Sequence, residues 1–202
     1  MMLAFDGASI DGLAYRDATD LAQRSPGRLD TAVTWWSAYG LALFALLMVA
    51  GWWRSRRTGA AAAVTALAVP VVVVLAYGVD AVLKLTVRED RPCQRLRVRT
   101  LEACPAPDDW SFPSNHAAIA AAAAVALLFV SRRLGTVACA AAVAMAASRV
   151  WVGVHYPHDV VTGLVVGGLI ALTSMLAVRR GSSALARRVA ASAPLRPLLS
   201  AP

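Results

Sequence analysis

Two short stretches of this chain hold nearly all the polar residues that ordinary helix packing leaves unexplained. The first contains Lys84, Arg91 and Pro92, followed by Pro113-Ser114-Asn115-His116. The second runs from Ser148-Arg149 to His155, with Asp159 close behind. A Lys, two Arg, two His and an Asp thus gather at the ends of apolar segments, where ionisable residues are costly unless paired or functional. Cations beside histidines suit a phosphate group. Arginine offers a planar fork to phosphate oxygens, and imidazole titrates near neutrality. The residues do not read as a metal centre: there is no carboxylate cluster for magnesium and no Cys/His spacing for zinc.

Taken singly, each residue also has a plainer explanation. Lys84 is placed to snorkel and to pair with Asp80 one turn earlier. Arg149 could anchor a span at the interface, and His116 and His155 could be ordinary interfacial histidines. His158 lies outside the pattern and reads as a bystander, with Trp151 and Tyr156 as members of an aromatic belt. It is the convergence that favours chemistry.

The elements that position these groups are read from the hydropathy. Of 202 residues, 58% are hydrophobic, above the level usual for a soluble domain. A bilayer span needs about twenty predominantly apolar residues. Five runs come close to that length: Thr31–Trp53, Gly59–Leu83, His116–Val130, Leu134–Val150 and Pro157–Val178. Asp30 is placed to cap the first, and Pro157 sits where a helix tolerates a missing N–H. The expected fold is therefore all-α, a polytopic transmembrane bundle. Residues 1–30 form a separate amphipathic segment in this reading, with Ile10, Leu13, Ala14, Ala18 and Leu21 at helical spacing. Their aspartates (Asp6, Asp11, Asp17, Asp20 and Asp30) do not fit a cleavable signal peptide. Residues 31–180 form the membrane-embedded domain. Residues 181–202, rich in Ala, Ser, Pro and Arg, read as a disordered cytoplasmic tail.

The formal charge of +8 raises the question of nucleic acid, but the arginines sit in short clusters between apolar runs rather than along a basic stripe. No nucleic-acid partner is expected. Arg54, Arg56 and Arg57, then Arg132 and Arg133, then Arg179, Arg180, Arg187 and Arg188 mark the cytoplasmic side by the positive-inside rule. The chemistry-bearing loops then face outward, as does the N-terminus. Arg88, Arg91, Arg95, Arg97 and Arg99 in the outer loop run against that rule unless they hold anionic substrate or lipid. Cys93 and Cys104 share this loop, where an oxidising compartment permits a disulfide; the alternative is two free thiols. Cys139 reads as a small apolar residue of the fourth span.

Lys84-x6-Arg91-Pro92, Pro113-Ser114-Asn115-His116 and Ser148-Arg149-x5-His155-x3-Asp159 together resemble the three signature motifs of the type 2 phosphatidic acid phosphatase superfamily, which includes vanadium haloperoxidases. One position departs: Asn115 stands where the family usually has glycine, and Asn tolerates left-handed backbone better than most residues. The resemblance implies a metal-free, cofactor-free phosphatase built on a six-helix core, to which the N-terminal segment contributes the sixth helix. It implies His155 as nucleophile, forming a phosphohistidine, with Asp159 orienting its ring. It further implies His116 as general acid, and Lys84, Arg91, Ser114, Asn115 and Arg149 as the phosphate-binding set.

Leu29-Asp30, Trp35-Trp36 and Tyr39-Gly40, with Ser148–Asp159, further resemble the bacitracin-resistance type of undecaprenyl diphosphate phosphatase, enzymes of cell-wall lipid recycling. The expected function is hydrolysis of a lipid diphosphate to its monophosphate at the outer face of the plasma membrane. Phosphatidic acid, phosphatidylglycerol phosphate, phosphotransfer to a second lipid, and a non-catalytic lipid-binding or transport role remain open at this level.

Overall fold

The computed structural model describes residues 6–192 and 197–199, and every regular element among them is helical. The elements are α1 (Gly7–Arg24), α2 (Gly27–Tyr39), α3 (Leu41–Ser55), α4 (Ala60–Val87), a single turn α5 (Pro92–Arg95), α6 (Asn115–Val130), α7 (Arg132–Trp151) and α8 (Pro157–Ala191). α4, α7 and α8 are long and apolar enough to cross a membrane. α2 and α3 qualify as a fourth span only when taken together, because the chain bends by 53° between them. The straight first span expected from the sequence is therefore a broken one. Glycine is a poor helix former, and Gly40 stands at the break, where an added methyl would lie 2.7 Å from Met145.

Expected span three, α6, has 16 residues. At about 1.5 Å rise per residue it is shorter than a hydrocarbon core of about 30 Å. It sits at the centre of the bundle and packs most extensively on α8, α7 and α4. Its face is nearly all alanine, with Ala117, Ala118, Ala120, Ala122, Ala123 and Ala126 fully buried. Small side chains let helix backbones approach closely, which is how helices associate where lipid supplies no hydrophobic drive. α8 answers with Gly163 and Gly167. A methyl at Gly163 would fall 2.6 Å from the Ser114 carbonyl oxygen, and one at Gly167 would collide with the Ala118 carbonyl oxygen. The N-terminal ends of α6 and α8 are locked together by this contact.

Three further expectations are corrected. Residues 181–191 are helical, continuing α8 without a break; Ala, Leu and Arg are strong helix formers, and no proline intervenes before Pro194. The remainder of the expected tail lies outside the described residues apart from 197–199. Asp30 does not cap the first span: α2 begins at Gly27, and the Asp30 carboxylate accepts from the Trp151 indole at 3.1 Å. The N-terminal segment is not separate either. α1 presents Gly12, Tyr15, Thr19 and Ala22 to the protein while Ile10, Leu13 and Leu21 stay exposed. It packs on α5, α7 and α8.

Candidate active site

The site forms where α4 ends and α6 and α8 begin, with the loop of residues 88–114 folded over it. His155 lies in the short link between α7 and α8. α7 ends with Val152 N–H bonded to Ser148, and Gly153 then reverses the chain with φ of 87°. That backbone favours glycine. The Tyr15 hydroxyl from α1 donates to the Gly153 carbonyl at 2.8 Å, fastening the link from outside. Burial pushes the Tyr15 hydroxyl up to about 12, so it stays a donor.

His155 is 2% exposed. Its Nδ1 lies 3.2 Å from Asp159 Oδ2, and its Nε2 lies 3.3 Å from Arg91 Nη1. A guanidinium can only donate. Nε2 must therefore be the unprotonated nitrogen, and Nδ1–H is left to donate to the carboxylate. Burial holds the His155 ring well below the ordinary imidazole range, and the nearby charges of Arg91, Arg149, Lys84 and His116 push the same way. The ring is thus a neutral base with its lone pair among cations.

Asp159 is in the first turn of α8, where Pro157 opens the helix. Its Oδ2 accepts from the Tyr156 backbone N–H at 2.8 Å and from the Ser111 hydroxyl. Ser111 is fully buried and sits 3.4 Å from His155 Nδ1. No sequence signal marked it; it precedes the Phe112–Pro113 cis peptide in the turn leading to α6.

The cations are held by the loop. Arg91 donates to the Val154 carbonyl at 2.9 Å, to the Asp109 carbonyl at 2.7 Å and to the Asp109 carboxylate at 2.9 Å. Lys84 donates to the Trp110 carbonyl at 2.6 Å. It does not pair with Asp80, whose buried carboxylate oxygens have no hydrogen-bond partner among the described residues. Arg149 donates to the buried Ser37 hydroxyl of α2 and, at 3.2 Å, to Glu102. Asp109 and Glu102, unremarked in the sequence, thus pair with the two arginines.

Ser114 and Asn115 begin α6, and neither the Ser114 hydroxyl nor the Asn115 side-chain oxygen has a partner among the described residues. His116 follows in the first turn and contributes to the field at His155. Cys93 and Cys104 are joined in a disulfide that closes the loop between Arg91 and Asp109. Cys139 is free and partly buried.

His158 is not a bystander. Its Nδ1 faces Asp11 Oδ1 at 2.9 Å and its Nε2 faces Glu89 Oε2 at 3.1 Å. Nor is Tyr156 in an interfacial belt: it is 1% exposed and stacks on the His158 ring. These partners lie far apart in sequence, and no spacing announces them.

The comparisons agree with this architecture. The sequence signature of the PAP2 superfamily matches residues 65–182. The chain is 34% identical to the undecaprenyl-diphosphatase BcrC of Bacillus subtilis over 146 residues, covering 70% of this chain and 71% of that one. It is 43% identical over 93 residues to the decaprenylphosphoryl-5-phosphoribose phosphatase of Mycolicibacterium smegmatis, 44% of this chain and 47% of that one. A transmembrane PAP2-type phosphatidylglycerolphosphate phosphatase from Bacillus subtilis shares the fold, with a TM-score of 0.60 at 19% identity over 88% of this chain and 87% of the other. The chain is a multi-pass membrane phosphatase belonging to the PAP2 superfamily.

Proposed function

We propose that the chain hydrolyses a polyprenyl diphosphate, undecaprenyl diphosphate foremost, to the monophosphate, through a phosphohistidine on Nε2 of His155. The observation that carries this reading is the environment of that nitrogen, which is unprotonated, accepts from a guanidinium at 3.3 Å and has a carboxylate behind its ring. His155 Nε2 attacks the terminal phosphorus, and the bond to the bridging oxygen breaks. His116 supplies a proton to the departing lipid monophosphate and recovers one from the water that hydrolyses the N–P bond, the two halves of general acid–base work. Lys84, Arg91 and Arg149 bind the non-bridging oxygens, releasing Asp109 and Glu102. The Ser114 hydroxyl and the α6 N-terminus around Asn115 complete the cradle, since helix N-termini favour anions.

Three cations and a helix terminus neutralise the phosphate without a metal. The substrate class is supported by the relative named as an undecaprenyl-diphosphatase, similar over most of both chains. The site faces the extracytoplasmic side of the plasma membrane in this reading. The arginine clusters of α3, α7 and α8 lie at the other end of the bundle, where Arg132 and Arg179 line one cavity.

The test is phosphate release by the purified protein in detergent, from a long-chain polyprenyl diphosphate and from phosphatidic acid, with chelator present. Turnover of the diphosphate in preference, lost in His155→Ala, is expected. Acid-labile phosphate trapped on the wild-type protein would identify the intermediate. Retained turnover in His155→Ala overturns the nucleophile. Preference for phosphatidic acid overturns the substrate, and loss with chelator restored by a divalent ion overturns the metal-free chemistry.

A further inference from the structure

Behind Asp159, on the side away from His155, lies a second cluster of titratable groups drawn from three parts of the chain. His158 of α8 is 15% exposed, Glu89 of the loop after α4 is 1% exposed, and Asp11 comes from α1. His158 Nε2 is 3.1 Å from Glu89 Oε2 and 3.3 Å from Asp159 Oδ1. Its Nδ1 is 2.9 Å from Asp11 Oδ1, and its backbone N–H donates to Asp11 Oδ2 at 2.7 Å. Tyr156 stacks on one face of the ring at 5.5 Å, and Phe112 lies 5.8 Å away. An ionised carboxylate can only accept, so a ring with a carboxylate at each nitrogen carries two N–H groups and a positive charge. The Nε2–H bonds to Glu89, and Asp159 Oδ1 sits beside it as an ion pair without a hydrogen bond of its own.

We propose that His158 is a positioning residue: an imidazolium that keeps Asp159 ionised, and thereby keeps the proton of His155 on Nδ1. Two buried carboxylates, Asp159 and Glu89, share this cation. Two carboxylates in one buried site do not both stay ionised without a counter-charge; one takes a proton. Without His158, Asp159 and Glu89 face each other in that condition. A protonated Asp159 turns from acceptor to donor. Its Oδ2 then donates to Nδ1 of His155, and the ring proton moves to Nε2. The attacking nitrogen is blocked. Asp11 gives the arrangement a second consequence: the cation that sets the tautomer is fixed in place by α1, the helix whose exposed Ile10, Leu13 and Leu21 point away from the protein. Gly7 at the start of α1 is held so near that an added methyl would meet Glu89, Tyr156 and the His158 ring.

This inference rests on the reading of His155 as the nucleophile, and the test separates the two. Phosphate release is measured for wild type, His155→Ala, His158→Gln, Glu89→Gln and the double variant His158→Gln/Glu89→Gln, with thermal stability in the same detergent. We expect His158→Gln to lower kcat by about 10–100-fold with KM within about threefold, the scale of a lost partner behind a reacting group. Removing the competing carboxylate as well restores much of that loss in the double variant. The acid limb of the His158→Gln pH profile moves to higher pH, because Asp159, Glu89 and Asp11 then face one another with no cation between them. A purely structural role for His158 would make the double variant worse than either single one. Wild-type kcat in His158→Gln, or a double variant no better than His158→Gln, overturns the inference. Turnover in His155→Ala overturns the reading beneath it instead.

Discussion

Asp159→Asn is the substitution from which the site's electrostatics can be read most directly. In the mechanism proposed above, formation of a phosphohistidine turns the His155 ring from neutral to cationic, and the carboxylate 3.2 Å from Nδ1 favours that change. At an effective dielectric of about 20, unit charges at that separation attract by about 5 kcal/mol. Roughly half the charge develops at the transition state, so about 2–3 kcal/mol is at stake, or about 10²-fold in kcat. The amide is close in shape. Its oxygen can still accept from the Tyr156 N–H that the carboxylate holds at 2.8 Å, so the start of α8 is preserved. The expected result is a kcat lowered by about 10²-fold with KM little changed, the pattern of an interaction made in the transition state. The assay is steady-state phosphate release from a polyprenyl diphosphate, with thermal unfolding as the control for α8. A kcat within about threefold of wild type in a stable Asp159→Asn protein would refute the reasoning.

Two further outcomes follow from the same geometry. Because burial and the surrounding cations keep His155 neutral, the acid limb of kcat/KM that belongs to His155, the proposed nucleophile, should lie below the ordinary imidazole value of 6.5. The unfolded chain takes up that proton as pH falls below 6.5 while the folded one does not, so stability also drops toward acid; an unfolding series across pH measures it. Replacing Cys93 and Cys104 with serine opens a loop of 11-residue separation, with an expected loss of about 2–3 kcal/mol in stability. A raised KM should accompany it, since that loop carries Arg91, Glu102 and Asp109; an unchanged unfolding temperature and KM would contradict the assigned role of the bridge.

Much of the site is legible in the chain because three motifs carry it and each sits at a helix end. Lys84, Arg91, Arg149, His155 and Asp159 come together as their spacing implies, with Pro157 and Asp159 defining the first turn of α8. What the spacing does not contain is everything joined across the fold. His158 meets Asp11 at a separation of 147 residues and Glu89 at 69, and Arg149 meets Ser37 at 112. A lone histidine gives no sign of such partners. The break in the first span is local but equally silent, because the run holds both Gly40 and Gly51 and an isolated glycine is tolerated inside a helix, so neither announces a bend. The helical continuation past residue 180 was hidden by composition: Ala, Ser and Arg serve a long helix as well as a disordered segment.

The contact made by Gly163 and Gly167 on the backbone of α6 has a further meaning for how such a protein can change. At these two glycines the helices meet backbone to backbone, which leaves little slack for either to shift or rotate. His116 and Asp159 ride on those two helices, so the spacing of His116 from the His155–Asp159 pair is set by this close approach together with the Ser114 N–H, which donates to the Asp159 carbonyl at 3.1 Å. Along the α6–α8 seam a carbon added at Gly163 or Gly167 would meet backbone, so change there is closed to any larger residue unless the helices part.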